Sequence, residues 1–425
     1  MSALDVLFVH NNFPAQFRNL AATFASLPGC RVAAIGAGSA SAMAGVDLRR
    51  YGFSGRELSN VHPFARRFEI ESRRAEQVMY SANAMKYDGF TPQLIYVHPG
   101  WGEALPLRVL FPDATLCCYS EFYYAPSGTD VGFDREFPPF GIDGETRIVL
   151  RNAATLLALT DADFAVAPTE WQRSVFPREF RDKIHVVHDG LDCDRLMLRA
   201  PARAREIAGI PIPDDAEIVT FVARNLEPYR GFHVFMRALP RLLAKRPRAR
   251  VFLVGGDKVG YGAGPPRHAS WRQALLEELD GRLDLGRVHF TGSLPYESYL
   301  ALLVRSDAHC YLTYPFVLSW SMLEAMALGC LVVGSDTGPV TEVITHGENG
   351  LLVPFFDTDA IADTIADALA HPRRMRRLRE AARHTARSRY DFARVSLPRH
   401  VDLLHQVGCS QRLVELLAGV QPADI

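Results

Sequence analysis

Two series of short apolar runs, each run followed by an amphipathic stretch of helix length, constrain this chain more than any other feature. A crossover between parallel strands needs a connection of helix length, so this alternation is the pattern of parallel sheets with helices on both faces. In the first half the runs predict strands at residues 5–9, 31–35, 94–98, 115–120, 164–167 and 184–187. In the second half they predict strands at 218–223, 250–254, 288–291, 309–312, 331–334 and 350–353. A chain of 425 residues exceeds the size at which one core keeps growing, which fits two domains. The expected fold is α/β, with two doubly wound Rossmann-like domains facing a central cleft. The polar, proline-bearing stretch after Asp189, Gly190, Leu191 and Asp192 is the expected connection. Boundaries fall at 1–195 (N-terminal, acceptor side), 196–390 (C-terminal, nucleotide side) and 391–425. The last is expected to be helical, with Leu403, Leu404, Val407, Leu413 and Leu416 at helical spacing, packing back on the N-terminal domain.

Doubly wound sheets bind ligands outside the carboxyl ends of their strands, so the loops after the apolar runs hold the candidate residues. In the second half one run ends in Arg224, Asn225, Leu226, Glu227, Pro228, Tyr229, Arg230 and Gly231. Two guanidinium groups there suit phosphate oxygens, and the helix that follows adds a positive dipole end. Another run leads to Tyr314, Pro315, Phe316, Val317, Leu318, Ser319 and Trp320, then Ser321, Met322, Leu323 and Glu324. Ser319 suits an N-cap, the helix start suits a diphosphate, and Glu324 in an apolar helix calls for a hydrogen-bond donor such as a ribose diol.

Other classes find less support. The net charge of −1 offers no basic field for nucleic acid, and no apolar run reaches the ~20 residues of a membrane span. The start, through Leu7, Phe8, Val9 and His10, does not suit a signal peptide, and a cytoplasmic location is expected. Seven cysteines without a Cys-x-x-Cys pair read as buried reduced thiols. The arginines at 373–389 read as the solvated face of a helix rather than a membrane patch. Asp-x-Asp triplets at 161–163, 192–194 and 357–359 stand where chance and turns explain them, so no metal ligands are assigned. Neither Gly36-Ala37-Gly38 nor the glycines of 255–264 open a dinucleotide fingerprint, and no cofactor is expected.

Four ordered motifs carry a resemblance. Arg224 to Gly231, the segment Ser321, Met322, Leu323, Glu324, Ala325, Met326 and Ala327, then Gly338, Pro339, Val340, Thr341 and Glu342, then Gly347, Glu348, Asn349 and Gly350 resemble glycosyltransferase family four, which has the GT-B fold. The match covers roughly residues 218–369. His98, Pro99, Gly100, Trp101, Gly102 and Glu103 resemble the N-terminal signature of one bacterial subgroup of that family. The resemblance implies retaining, metal-independent transfer of a sugar from a nucleotide-diphosphate sugar, of UDP or GDP type, to a saccharide, lipid-linked or small-metabolite acceptor. It implies that Arg224 and Arg230 hold the diphosphate, Arg230 standing where lysine is usual. It further implies that Glu324 binds the ribose, that Thr291 and Gly292 lie against the base, and that His98 contacts the donor sugar or acceptor. Ser319, Trp320, Ser321, Met322 and Leu323 complete the donor side, and Asn12, Arg18 and Glu121 are candidates on the acceptor side.

One position departs from the family. The first of its two usual glutamates would stand at 316, where this chain has Phe316. A phenyl ring removes a hydrogen-bond acceptor and adds an apolar wall, which suits a donor sugar lacking a hydroxyl. Two alternatives stay open on the sequence: a nucleotide-sugar-binding pseudo-enzyme, and an epimerase or hydrolase on the same fold.

Overall fold

The computed structural model describes residues 4–52, 58–199 and 204–420. Residues 1–3 of the chain start, 200–203 of the expected connection and 421–425 of the expected tail lie outside them. The chain divides into two compact units, residues 1–190 with 392–425, and residues 191–391. The sequence boundaries stood at 195 and 390.

In the first unit seven parallel strands form one sheet: β1 (Leu4–Val9), β2 (Cys30–Ala37), β3 (Val46–Tyr51), β4 (Leu94–Val97), β5 (Thr115–Tyr119), β6 (Phe164–Ala167) and β7 (Ile184–Val186). Their order is β3-β2-β1-β4-β5-β6-β7. β1 is buried on both faces, which is why its sequence reads as an unbroken apolar run. Val6 and Phe8 join a core with Leu20 and Phe24 of α1 (Arg18–Ser26). Leu7 and Val9 join another with Val78, Ala82 and Met85 of α2 (Arg66–Tyr87). Leu403, Leu404, Leu413 and Leu417 of the tail belong to the first of these cores, so residues after 391 complete the first unit. The sequence reading did not include β3. It is an edge strand with Asp47, Arg49 and Arg50 exposed, and this polar pattern blunts an edge and hides the strand.

The second unit starts with a short hairpin, β8 (Glu206–Ile207) and β9 (Ile210–Pro211). Six parallel strands follow: β10 (Glu217–Asn225), β11 (Ala249–Gly256), β12 (Val288–Gly292), β13 (Ala308–Tyr311), β14 (Val332–Ser335) and β15 (Leu351–Val353), ordered β12-β11-β10-β13-β14-β15. The helices that matter below are α3 (Phe232–Lys245), α4 (Tyr296–Arg305), α5 (Trp320–Ala327), α6 (Thr358–Ala370) and α7 (Pro372–Tyr390). On α7, Met375, Leu378, Ala382, Ala386 and Tyr390 are buried while Arg373, Arg374, Arg376 and Arg377 are exposed, as one face of an amphipathic helix.

All twelve strands read from the sequence are present. Both sheets reverse their strand order once, between β1 and β4 and between β10 and β13, and these switch points are where a doubly wound sheet opens a ligand crevice. The aspartates of the three triplets have structural tasks. Asp163 accepts from the Leu116 N–H and pairs with Arg108, Asp192 accepts from the Arg195 N–H, Asp194 pairs with Arg387, and Asp357 caps α6. All seven cysteines are unpaired, six of them buried, and no helix among the described residues is long and apolar enough to cross a membrane.

Candidate active site

At the switch point of the second sheet, the loop after β10 turns through Pro228–Arg230 into α3. Gly231 makes the turn with φ +69°, and a Cβ there would stand 2.4 Å from Leu312 Cβ, so the loop passes against the end of β13 with no room for a side chain. The tight turn carries Arg230 inward. Its Nη1 donates to Thr313 Oγ1 at 2.8 Å and to the Val317 carbonyl at 2.9 Å, and its guanidinium lies 5.4 Å from the Tyr261 ring and 5.8 Å from the Phe316 ring. Arg224 differs: it is exposed and makes no hydrogen bond or ion pair among the described residues.

Phe316 is buried and meets Tyr229 and Tyr261 edge to face, with ring centres 5.5 and 4.9 Å apart. Tyr261 is held in place by Glu227, a buried carboxylate that accepts from the N–H groups of Gly260 at 3.1 Å, Tyr261 at 3.0 Å and Gly262 at 3.4 Å. A charge with that many backbone donors is well compensated despite its burial.

The loop after β13 ends in α5. Ser319 caps the helix by accepting from the Ser321 N–H at 3.3 Å, and its own N–H donates to the Tyr311 hydroxyl at 2.8 Å. Trp320 and Ser321 open the positive end of the helix, whereas Met322 and Leu323 are fully buried in the core of the unit. Glu324 accepts from the Tyr296 hydroxyl at 2.8 Å and the Tyr299 hydroxyl at 2.7 Å, one on each oxygen, both tyrosines coming from α4. Each carboxylate oxygen keeps a further lone pair for a ligand hydroxyl. Thr291 and Gly292 end β12; Thr291 Oγ1 donates to the Gly292 carbonyl at 3.0 Å, and Gly292 has φ +67°.

The switch point of the first sheet is built differently. After β4, His98 starts a tight turn and accepts the Gly100 N–H on Nδ1 at 3.2 Å. Gly102 ends it with φ +89°, where a Cβ would lie 2.4 Å from the Glu71 carbonyl oxygen of α2, so turn and helix are in direct backbone contact. The His98 ring lies 4.3 Å from that of Trp101, and its Nε2 points at Glu121 Oε2, 3.3 Å away on the loop after β5. Glu121 Oε1 accepts from Gln16 at 2.7 Å, and Gln16 in turn accepts from His10, the residue that follows β1. Burial pushes the His10 pKa down to about 3, so its imidazole is neutral. Burial would raise the Glu121 pKa, but the hydrogen bonds it accepts from His98 and Gln16 outweigh it and hold the carboxyl below its usual value. Deeper, fully buried Glu103 accepts from the Tyr51 hydroxyl, its Oε2 has no partner, and burial pushes its pKa up to about 7.

Of the first-unit residues expected from the sequence, His98 and Glu121 are brought together. Asn12, on the loop after β1, and Arg18, the first residue of α1, are exposed, and the Asn12 side chain accepts from Ser39 Oγ at 2.7 Å. The sequence reading did not single out His10, Gln16, Glu227, Tyr261, Tyr296 or Tyr299. His10 had a usable signal, because it follows β1 as His98 follows β4. Tyr296 and Tyr299 stand at i,i+3 on one helix, a spacing that puts both on one face.

A polar site at the reversal point of each of two doubly wound sheets defines a two-domain α/β protein of the GT-B class. Residues 28–196 match the profile of the glycosyl transferase family 4 group, and residues 202–385 that of glycosyl transferases group 1. The chain belongs to glycosyltransferase family 4. It is 30% identical over 300 residues to the GDP-mannose-dependent alpha-(1-6)-phosphatidylinositol monomannoside mannosyltransferase of Mycolicibacterium smegmatis, covering 67% of this chain and 70% of that protein. It is 29% identical over 240 residues to the D-inositol 3-phosphate glycosyltransferase of Kribbella flavida, where the match covers 55% of this chain and 52% of that enzyme; the chain thus spans about half the length of that relative. Among solved structures, a glycosyltransferase of Rickettsia africae superposes with a TM-score of 0.66 at 14% identity, covering 96% of this chain and 99% of that one. Anabaena Alr3699/HepE in complex with UDP-glucose superposes with a TM-score of 0.62 at 16% identity, covering 98% and 100%. At such identities these two structures speak for the fold.

Proposed function

We propose that the protein transfers a sugar from a nucleotide-diphosphate sugar of UDP or GDP type to a hydroxylated acceptor, with retention and without a metal. The second unit takes the donor and the first the acceptor. One observation carries this reading: the unpaired guanidinium of Arg224, the capped start of α5 and the carboxylate of Glu324 all lie on elements at the switch point of the second sheet. A fork of N–H donors and a helix N-terminus suit a diphosphate, and a carboxylate on the same helix suits a ribose diol. Cleavage of the sugar–phosphate bond leaves charge on the departing diphosphate, and fixed positive groups there lower the barrier without a cation. Buried Arg230 adds charge behind the loop. With retention, the departing phosphate itself takes the proton of the attacking acceptor hydroxyl.

The relatives support a nucleoside diphosphate hexose as donor class, since one is named as GDP-mannose-dependent and the Anabaena structure holds UDP-glucose. Phe316 refines this. Its ring, packed with Tyr229 and Tyr261, replaces a hydrogen-bonding carboxylate with an apolar wall, which favours a deoxysugar over glucose or mannose.

The test is a panel of UDP- and GDP-sugars, read by thermal shift and by turnover in EDTA. Specific binding raises the melting temperature by mass action, and turnover persists in the chelator. No shift with any nucleotide overturns the donor assignment, and loss of turnover in EDTA overturns metal independence. A clear preference for glucose or mannose sinks the deoxysugar reading, while consumption without an acceptor favours a hydrolase.

A further inference from the structure

The hydrogen bonds at the switch point of the first sheet have a direction that can be read from end to end. The Asn12 N–H donates to His10 Nδ1 at 2.9 Å, so that nitrogen carries no proton and Nε2 carries it. His10 Nε2–H therefore donates to Gln16 Oε1, 2.9 Å away. The Gln16 amide then turns its NH2 toward Glu121 Oε1 at 2.7 Å. Flipping that amide would set N–H against N–H at His10 and oxygen against oxygen at Glu121, so only one orientation satisfies both neighbours. From the other end, the Gly100 N–H donates to His98 Nδ1 at 3.2 Å, which leaves Nε2–H to donate to Glu121 Oε2 at 3.3 Å. Two backbone amides thus fix two imidazole tautomers, and both ends of the chain of bonds deliver N–H donors to one carboxylate. Gln172 holds the same residue from behind, donating to the Glu121 carbonyl at 2.6 Å.

We propose that His10 and Gln16 are positioning residues that hold Glu121 ionised and aimed, so that this subsite takes a hydroxyl donor of the acceptor and rejects an anionic group. The inference rests on the acceptor-side role given to the first unit. It follows from what remains unused. The Glu121 side chain is about one-third exposed, at 31%, and an ionised carboxylate offers only lone pairs, so a ligand must bring the hydrogen. His98 cannot supply a lone pair to a ligand either, because Nδ1 is taken by a backbone N–H and Nε2 carries its proton toward Glu121. A phosphate or carboxylate placed against Glu121 would meet a like charge. An acceptor with an anionic portion has to bind that portion elsewhere and present a hydroxyl here.

The experiment uses the full chain with 15N-labelled histidine and long-range proton–nitrogen correlation spectra. Both His10 and His98 are expected to carry a proton on Nε2 and none on Nδ1. A Nδ1–H tautomer at either position overturns the proposal. Gln16→Met keeps the length of the side chain but removes both hydrogen bonds; it is expected to move the His10 nitrogen resonances and to lower kcat at least tenfold with donor KM within twofold. Unchanged spectra, or an unchanged kcat, overturn the positioning role. Inorganic phosphate at matched ionic strength is expected to leave the His98 resonances in place, and a phosphate-dependent shift overturns the exclusion of anions. The wild-type spectra need neither turnover nor a folded variant, so failure of this inference and failure of the transferase reading are distinguishable.

Discussion

The two switch points share a strand order and differ in their chemistry. In the second unit the loops after β10, β11 and β13 gather Arg224, Arg230, the rings of Tyr229, Tyr261 and Phe316 and the positive end of a helix. In the first, the loops after β1, β4 and β5 gather two histidines that each accept a backbone N–H on Nδ1, an amide and carboxylates. The sheet decides where a site lies and the loops decide what it does, so one fold can carry the proposed donor grip in one unit and the proposed acceptor platform in the other. The units also use buried charge differently. Glu227 and Arg230 are buried and each makes several hydrogen bonds, whereas Glu103 is buried with one oxygen unpaired.

The sharpest break of this comparison is in the second unit. Arg230→Ala would leave the Thr313 hydroxyl and the Val317 carbonyl without their donor and open a cavity under Tyr261 and Phe316. It should lose about 3–5 kcal/mol of stability in urea titration as well as most turnover. Arg224→Ala removes an exposed, unpaired side chain, so the melting temperature should hold while kcat falls about 10²- to 10³-fold. If the double variant retains near-normal rates, neither arginine serves the diphosphate.

In the first unit the corresponding test is pH. The Glu103 pKa is raised from 4.5 to about 7, chiefly by burial, so the folded state holds a proton that the unfolded chain releases. That stabilisation is complete below pH 4.5 and is lost as pH rises through 7, by about 3 kcal/mol for a shift of this size. Glu103→Gln, neutral throughout, should flatten the difference between urea titrations at pH 5 and pH 8 relative to the wild type. A variant whose pH dependence matches that of the wild type would show that Glu103 titrates as an ordinary carboxylate.

Much of this architecture was legible because parallel strands buried on both faces write themselves as apolar runs, as in β1 and β4. β3 was not, since an edge strand with Asp47, Arg49 and Arg50 outward has no such run. The proposed donor side was legible from Arg224, Ser319 and Glu324 because those residues lie in contiguous motifs beside a strand end. The supporting contacts were not. Glu227 reaches 33 residues along the chain to Gly260, and Gln16 reaches 105 to Glu121, and no local pattern reports a pairing at that distance. Sequence also gave no means of telling buried Arg230 from exposed Arg224, because what separates them is the left-handed turn at Gly231.

The smallest expected effect separates the units most cleanly. Ser319 caps α5 in the second unit by accepting from the Ser321 N–H, and Thr169 caps the helix Glu170–Ser174 in the first by accepting from the Gln172 N–H at 3.1 Å. Either residue changed to alanine removes one cap, so each variant should lose about 1 kcal/mol in urea titration. Beyond that the outcomes should part. Ser319→Ala loosens the helix start at the proposed diphosphate site, so the donor KM should rise a few-fold while the histidine spectra stay as in the wild type. Thr169→Ala frees Gln172, which holds the Glu121 carbonyl, so the His98 resonances should move while nucleotide affinity stays unchanged. If both variants alter nucleotide affinity alike, the division of labour between the two switch points fails, because a cap in the first unit has then reached the donor through something other than its own site.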